Sequence, residues 1–248
     1  MSEPKIVVLE DAEAACVRAA EEITHVAGEA ICTHAEFRLC LTGGSTPVKT
    51  YELLATRFHL SVDWKEVQFF WGDERCVPPD DQASNYGMAD RTMLERLELR
   101  PEQVHRIRGE DDPEQAARKY EDDLRESFSL DEGEFPRFHL MLLGLGDNAH
   151  MASLFPGDPA LHEQTRLAVA VNVPAEAARR VSLTVPVISL SERILFIVTG
   201  EKKAQAVKNV LEGSRDPERY PAQMALAGQS EVMWIIDQAA ASLLTRKS

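Results

Sequence analysis

His150 is a histidine placed where it could transfer a proton. It lies in the segment GLGDNAHMASLFPG, residues 144–157, directly after the apolar run FHLMLL. That run predicts a buried strand, and α/β proteins bind ligands at the carboxyl ends of such strands. A lone histidine is more commonly a packing residue whose ring nitrogens bond to the backbone. The residue type alone therefore leaves both interpretations open.

A glycine turn follows another predicted strand, in LTGGSTPVKTYELLA. Gly43 and Gly44 come after the strand, and Ser45 and Thr46 precede Pro47 at the start of a helix. Ser or Thr before proline is common at helix N-termini, but two preceding glycines also expose N–H groups that can bind an anion. No lysine follows in the P-loop frame, so we do not expect ATP.

An Asp-Glu-Arg triplet ends the next predicted strand, in WGDERCVPPDDQASNYGMA. On an extended chain Asp73 and Arg75 point to one side and Glu74 to the other. A surface salt bridge is the simpler interpretation. Beside the glycine turn, however, Arg75 could bind an oxyanion and Asp73 could accept hydrogen bonds from sugar hydroxyls.

Two cationic positions come later in the chain. Arg180 precedes the strand-like VSLTVPVI, and Lys203 lies in the first turn of the helix after IVTG. A lysine near a helix N-terminus is mildly unfavourable. The pair Lys202 and Lys203 therefore indicates another role for at least one of them, while solvation of both stays open.

Short, continuous apolar runs alternate with amphipathic stretches, which predicts an α/β fold. The fold expected is a doubly wound, Rossmann-like, mostly parallel sheet with helices on both faces. The chain contains no repeat or flexible linker, so we expect a single domain over residues 1–248, with a compact subdomain possible within 100–130. The predicted strands are KIVVL, FRLCLT, VQFFWG, FHLMLLGLG, LAVAVNV, ILFIVTG and EVMWIID, and the main predicted helices cover 11–35, 84–98, 112–128 and 201–212.

Composition excludes several classes of partner. A net charge of −14 argues against nucleic acid and acidic membranes. No apolar run has the length of a membrane span, and no signal peptide is visible. Four isolated cysteines and scattered histidines predict reduced thiols, no metal site and a cytoplasmic protein.

Taken together, the motifs resemble the 6-phosphogluconolactonase family, within the larger group of glucosamine-6-phosphate deaminases and sugar-phosphate isomerases. GGSTP, WGDERCVP, SNY, HMASLFPG and TGEKKA occur in the family's order and spacing, over essentially the whole chain. The most specific are DERCVP followed by SNY, and ASLFPG after Gly-x-Gly. The family's doubly wound, Rossmann-like fold agrees with the pattern of strands and helices.

The resemblance implies hydrolysis of 6-phospho-D-glucono-1,5-lactone to 6-phosphogluconate in the oxidative pentose phosphate pathway. It implies no metal or nucleotide cofactor, a small sugar phosphate as partner, and a monomer or homodimer. His150 falls on the general-base position, with Asn148 at the position of its usual carboxylate partner, and Asp73 and Arg75 fall at the sugar end. The positions implied for substrate binding are Gly43, Gly44, Ser45 and Thr46 in the loop, and Arg180 and Lys203 for the phosphate.

The chain departs from the family's usual text, Gly-x-Gly-x-Asp-Gly-His-Thr. Asn148 replaces the aspartate, Ala149 the glycine and Met151 the threonine. An asparagine accepts a hydrogen bond from the imidazole but gives no charge to stabilise imidazolium, a charge that Asp147 could supply instead. Two alternatives follow: an amino-sugar-phosphate deaminase or isomerase, which needs a carboxylate after the histidine where the first is Asp158, and a sugar-phosphate-binding module without catalysis.

Overall fold

A computed structural model describes residues 3–173 and 178–245, arranged as two sheets and six α-helices within those ranges. The strands are β1 (Lys5–Leu9), β2 (Phe37–Leu41), β3 (Val67–Trp71), β4 (Asp73–Arg75), β5 (Leu140–Leu143), β6 (Ala168–Val173), β7 (Ala178–Leu183), β8 (Arg193–Val198) and β9 (Glu231–Asp237). The α-helices are α1 (Ala12–His34), α2 (Thr46–Ala55), α3 (Asn85–Thr92), α4 (Pro113–Phe128), α5 (Val185–Ser189) and α6 (Ala204–Leu211).

The main sheet has six strands in the order β1-β9-β8-β5-β2-β3, and all of its pairings are parallel. Its strands are continuous apolar runs because helices cover them, with α1 packed against β1, β2, β8 and β9. The predicted α/β class and mostly parallel sheet are therefore confirmed.

The strand order determines where the sheet can bind a ligand. From β2 the chain continues to β3 at one edge, whereas β5 lies on the other side of β2 and is followed outward by β8. The connections therefore diverge between β2 and β5. In open α/β sheets the crevice at such a point, beyond the carboxyl ends of the strands, is where ligands bind.

A second sheet of three antiparallel strands, in the order β4-β7-β6, lies apart from the first. The assignment of LAVAVNV to the parallel sheet is wrong, because that run is β6 of the smaller sheet. It is continuously apolar because α4 packs against β6 and β7, while Val169, Val171 and Val173 pack with Phe155 and Ala160. The strand-like VSLTVPVI is likewise split, since β7 ends at Leu183 and α5 begins at Val185.

Helix positions agree well with the sequence, but their ends differ. The prediction for 11–35 is α1, which begins after Asp11, whose side chain accepts from the Ala14 N–H at 2.8 Å. The helix predicted over 84–98 stops at Thr92, and the one predicted from 201 begins at Ala204 after a short 3₁₀ turn. Within residues 3–173 and 178–245, no helix has both the length and the apolar character needed to cross a membrane.

Glu74 joins β4 to the start of α3. Its carboxylate is 2% exposed and accepts hydrogen bonds from the N–H groups of Arg75, Asn85 and Tyr86 and from the Ser84 hydroxyl. Burial raises the pKa of Glu74, and the backbone hydrogen bonds oppose that rise. Among the described residues Asp73 and Arg75 line the cleft and Glu74 does not, which agrees with the predicted alternation. Glu74 instead holds the N-terminus of α3 against β4.

The two sheets share one continuous core. Buried side chains from both belong to it, including Phe70 of β3 and Leu183 of β7. The segment 100–130, considered for a subdomain, contributes Leu124 and Tyr120 of α4 to the same core. This continuity supports one domain, whose extent over residues 1–248 stays a prediction.

Candidate active site

A cleft of about 520 Å³ opens at the carboxyl ends of β2, β5 and β8, with β4 and β7 forming one wall. It lies where the connections of the main sheet diverge. The sequence-predicted site residues, which come from five separate segments, all line it. They are Gly43, Gly44, Ser45, Thr46, Asp73, Arg75, Asn148, His150, Arg180 and Lys203.

The glycine turn forms the floor of the cleft beside α2. A Cβ on Gly43 would overlap the side-chain amide of Asn85, and Gly44 has a φ of 99°, a conformation that favours glycine. The Thr46 hydroxyl lies 3.1 Å from that of Thr199, which joins the turn to the loop after β8. The Ser45 side chain makes no capping hydrogen bond to the described residues, so the first N–H groups of α2 remain available to a ligand.

Asn148 determines which nitrogen of His150 carries the proton. Its Oδ1 accepts from the His150 backbone N–H at 3.3 Å and lies 2.6 Å from Nδ1 of the same residue. The backbone contact identifies the amide atom as the oxygen, and an oxygen facing Nδ1 requires a proton there. In the neutral imidazole the lone pair is then on Nε2, as a general base requires.

The imidazole packs directly over the backbone of its own loop. A Cβ on Gly146 would overlap the ring of His150, so the second glycine of Gly-x-Gly makes room for the histidine. The other side of the ring lies against Phe155, with the centroids 4.3 Å apart. Ala149, at the family's glycine position, has a φ of 64°, in the left-handed region that favours glycine.

Asp147 has Lys203 as its direct partner. Its carboxylate pairs with Lys203 Nζ at 2.6 Å, and this hydrogen bond lowers the pKa of Asp147, with a smaller contribution from His150. Asp147 therefore also interacts electrostatically with the imidazole, and the hypothesis that it supplies the missing charge stays a prediction. Lys203 itself lies in the 3₁₀ turn before α6, not in the first turn of the α-helix.

Asp73 and Arg75 extend from β4 into the cleft. Asp73 is 6% exposed; its Oδ2 accepts from the Ser153 hydroxyl at 2.6 Å and its Oδ1 from Asn85 Nδ2 at 3.3 Å. Arg75 Nη1 donates to the carbonyl of Ala83 at 2.6 Å, which orients the guanidinium.

Positive charge is concentrated on the wall formed by β4 and β7. Arg75 and Arg180 are directly opposite each other in the antiparallel register, so both guanidiniums belong to the same part of the cleft. Arg180 is buried, and its guanidinium carbon lies 5.5 Å from the centroid of Phe155. The same cleft therefore holds a histidine and several cations.

Comparison with known proteins is consistent with this geometry. A family model described as glucosamine-6-phosphate isomerases/6-phosphogluconolactonase matches residues 10–234. The chain belongs to this family. A 6-phosphogluconolactonase from Synechocystis sp. is 35% identical over 96% of this chain and 97% of its own, and one from Nostoc sp. is 36% identical over 96% and 97%. The solved 6-phosphogluconolactonase from Trypanosoma cruzi superposes with a TM-score of 0.88, at 27% identity, over 99% of each chain.

Three further residues help to build the cleft although the sequence analysis assigned them no role. Asn85 packs on Gly43, Ser153 hydrogen-bonds Asp73, and Phe155 lies between His150 and Arg180. Asn85 and Ser153 are polar residues within the family motifs SNY and HMASLFPG, which was a signal for both. Phe155 gave no such signal, because an aromatic residue after a strand is usually part of a core.

The fold also assembles potential metal ligands at the opposite, amino-terminal edge of the main sheet. Donor atoms of His34, His139 and Glu192 lie within 4.8 Å of one another, so the expectation that no such group forms is wrong. These three residues are far apart in the chain, and the pairing of adjacent strands brings them together. The Arg38 N–H donates to His139 Nδ1 at 2.9 Å and burial lowers the pKa of His139, so the neutral ring is protonated on Nε2. A metal-ligating histidine has the reverse arrangement, with a donating N–H opposite the metal. The prediction that the protein uses no metal stays a prediction.

Gly146→Ala tests whether the second glycine makes room for the imidazole. We expect the new methyl group to push the His150 ring off Asn148 and to lower the free energy of unfolding by about 1–3 kcal/mol, as overpacking does. Gly144→Ala is the matched control, because a Cβ there meets no atom within 4 Å. Urea denaturation and crystal structures of both variants measure the effect. An unmoved ring in Gly146→Ala would contradict this explanation.

Proposed function

We propose that the protein hydrolyses 6-phospho-D-glucono-1,5-lactone to 6-phospho-D-gluconate, the second step of the oxidative pentose phosphate pathway. The observation that carries the proposal is an imidazole with its Nδ1 proton held by Asn148, in one cleft with Arg75, Arg180 and Lys203. Lactone hydrolysis needs a base for water, and a phosphorylated substrate needs cations. Family membership and the 6-phosphogluconolactonases among its relatives support the same reaction.

In the proposed mechanism His150 Nε2 removes a proton from water as the water oxygen attacks the lactone carbonyl carbon. The carbonyl oxygen becomes an oxyanion in the tetrahedral intermediate. When the carbonyl re-forms, the bond to the ring oxygen breaks, and the imidazolium returns its proton to that oxygen to give the free hydroxyl. Asn148 keeps the ring oriented through both proton transfers, without a charge to stabilise the imidazolium.

The proposed phosphate ligands are Arg180, Lys203 and the glycine turn. A phosphate dianion is a stronger acceptor than the side chain of Asp147, which is 69% exposed, so it can replace that carboxylate at Lys203. The N–H groups at the start of α2 provide uncharged donors to the same anion. Asp73 and Arg75 are proposed to contact the sugar end.

The deaminase alternative needs a second acid–base carboxylate after the histidine segment. The first acidic residue there, Asp158, accepts from the Ala160 N–H at 2.8 Å and caps a 3₁₀ turn. It does not line the cleft among the described residues. The binding-module alternative rests on Asn148 and Ala149, yet Asn148 still accepts a hydrogen bond from the imidazole, which favours hydrolysis.

One assay distinguishes the three functions. Freshly generated 6-phosphogluconolactone is mixed with the protein, and acid release is followed above the spontaneous rate. Glucosamine-6-phosphate is tested in parallel for ammonia release. We expect turnover of the lactone alone. Ammonia release would identify a deaminase, and binding of 6-phosphogluconate without turnover of either compound would identify a binding module.

The setting we propose is the cytoplasm, where the four unpaired cysteines stay reduced. We propose a monomer or a homodimer, and a cleft lined by residues of one chain is compatible with both.

Arg180→Ala and Lys203→Ala should each raise the KM for the phosphorylated lactone. A charge-assisted hydrogen bond contributes roughly 1.5–3 kcal/mol, so we expect an increase of roughly 10- to 100-fold, larger for the buried Arg180 than for the partly exposed Lys203. Non-phosphorylated gluconolactone should respond little to either change. Lys202→Ala, at the neighbouring exposed lysine, is the control. Equal losses on both lactones would mean that these residues support the fold and do not bind the phosphate.

His150→Ala should lower kcat by about 10²–10⁴, the usual contribution of a positioned base. Asn148→Asp should raise kcat at most about tenfold, because the carboxylate stabilises the imidazolium as it forms. The same anion favours protonated histidine, so the acidic limb of the pH–rate profile should move to higher pH. Asp147→Asn is the comparison and should move that limb slightly to lower pH, because Asp147 pairs mainly with Lys203 and acts on the imidazole only through its charge. A crippling loss of kcat in Asp147→Asn would mean that this acid has taken over the partner role. Unchanged rates in His150→Ala would eliminate it as the base.

A further inference from the structure

The carboxylate of Asp73 is held by a buried chain of hydrogen bonds that crosses the site. The Ser182 hydroxyl of β7 accepts from the Ser153 N–H at 3.2 Å, and the Ser153 hydroxyl donates to Asp73 Oδ2 at 2.6 Å. On its other side Asp73 accepts from Asn85 at the start of α3. Ser153 and Ser182 are completely buried. The chain therefore links the histidine loop to both strands of the cationic wall.

The histidine loop needs such an attachment. Ala149 and Ala152, on either side of His150, have φ values of 64° and 46°, which are unfavourable for residues other than glycine. Unfavourable backbone conformations persist only where the surroundings hold them in place. Ser153 is the residue directly after this segment, and both its N–H and its hydroxyl are bonded to the second sheet.

The hydrogen bond from Ser153 to Asp73 differs from the usual hydrogen bond of a buried serine hydroxyl. A buried serine can donate to a backbone carbonyl four residues earlier in the chain, as Ser191, just after α5, does to Val187 at 3.3 Å. Ser153 instead donates at 2.6 Å to a side chain from a strand 80 positions away. Hydrogen bonds from a hydroxyl to a carboxylate are shorter and stronger than those between neutral groups.

We infer that Ser153 is a positioning residue, which acts through Asp73 to hold the imidazole of His150 and the sugar end of the cleft at a fixed separation. The inference rests on the proposed function. It assigns Ser153 no contact with substrate. Loss of its hydroxyl leaves the Asp73 carboxylate with one side-chain donor and detaches the histidine loop from β4.

A double-mutant cycle tests this coupling. Ser153→Ala should lower kcat/KM for 6-phosphogluconolactone about tenfold, by the loss of one charge-assisted hydrogen bond. In an Asp73→Asn background the same change should have less than a twofold effect. Ser191→Ala, which removes an equally buried hydroxyl away from the cleft, should leave kcat/KM unchanged. Equal effects of Ser153→Ala in both backgrounds, or no effect in either, would overturn the inference.

A second variant keeps the test usable if Ser153→Ala does not fold. A second measurement separates failure of the positioning role from failure of the proposed function. Ser153→Cys keeps the volume but donates weakly, so it should reproduce the loss if the alanine variant does not fold. In nitrogen-15 NMR, the Nδ1–H resonance of His150 should shift or broaden in either Ser153 variant and not in Ser191→Ala. An inactive wild type with this NMR response contradicts the proposed function alone. An active wild type without it contradicts the positioning role alone.

Discussion

Parallel pairing of six strands is the constraint on which the rest of the site depends. Strands that run in one direction end at one edge, so loops far apart in the chain meet there without any helix or strand dedicated to the purpose. The glycine turn follows β2, the histidine loop follows β5, and the segment with Lys203 follows β8. The connections diverge between β2 and β5, which leaves a crevice between these two loops.

Backbone contacts then determine the fine geometry of the cleft. The amide of Asn85 rests on Gly43 and the imidazole of His150 rests on Gly146, each where a Cβ would otherwise lie. A side chain packed against bare backbone has few alternative rotamers, because the peptide planes beneath it cannot move aside. The two glycines therefore matter less for their backbone freedom than for the close approach of a side chain that they allow. This close packing orients the Asn85 amide and the His150 imidazole in the cleft.

The sequence predicts a feature correctly where that feature depends on residues that are neighbours in the chain. Strand ends located Gly43, Asp73 and His150 correctly, since a buried run and the polar residues after it are adjacent in sequence. The sequence does not predict features that depend on how distant segments pair with each other. The pairing of Arg75 with Arg180, the ion pair of Asp147 with Lys203 and the antiparallel sheet that contains LAVAVNV all arise from such contacts. A continuous apolar run indicates a strand that is buried on both faces, but it does not indicate whether that strand pairs in parallel or antiparallel.

A protein with a net negative charge repels a dianion, so the binding site must concentrate positive charge to attract one. The wall formed by β4 and β7 does so by placing two guanidiniums, those of Arg75 and Arg180, at directly opposite positions beside the cleft. In the same cleft an amide, not a carboxylate, faces Nδ1 of His150. In the proposed reaction a carboxylate at that position would stabilise the imidazolium as it forms. Asn148 orients the ring without that charge, and a reactive lactone needs the charge less than a resistant amide does.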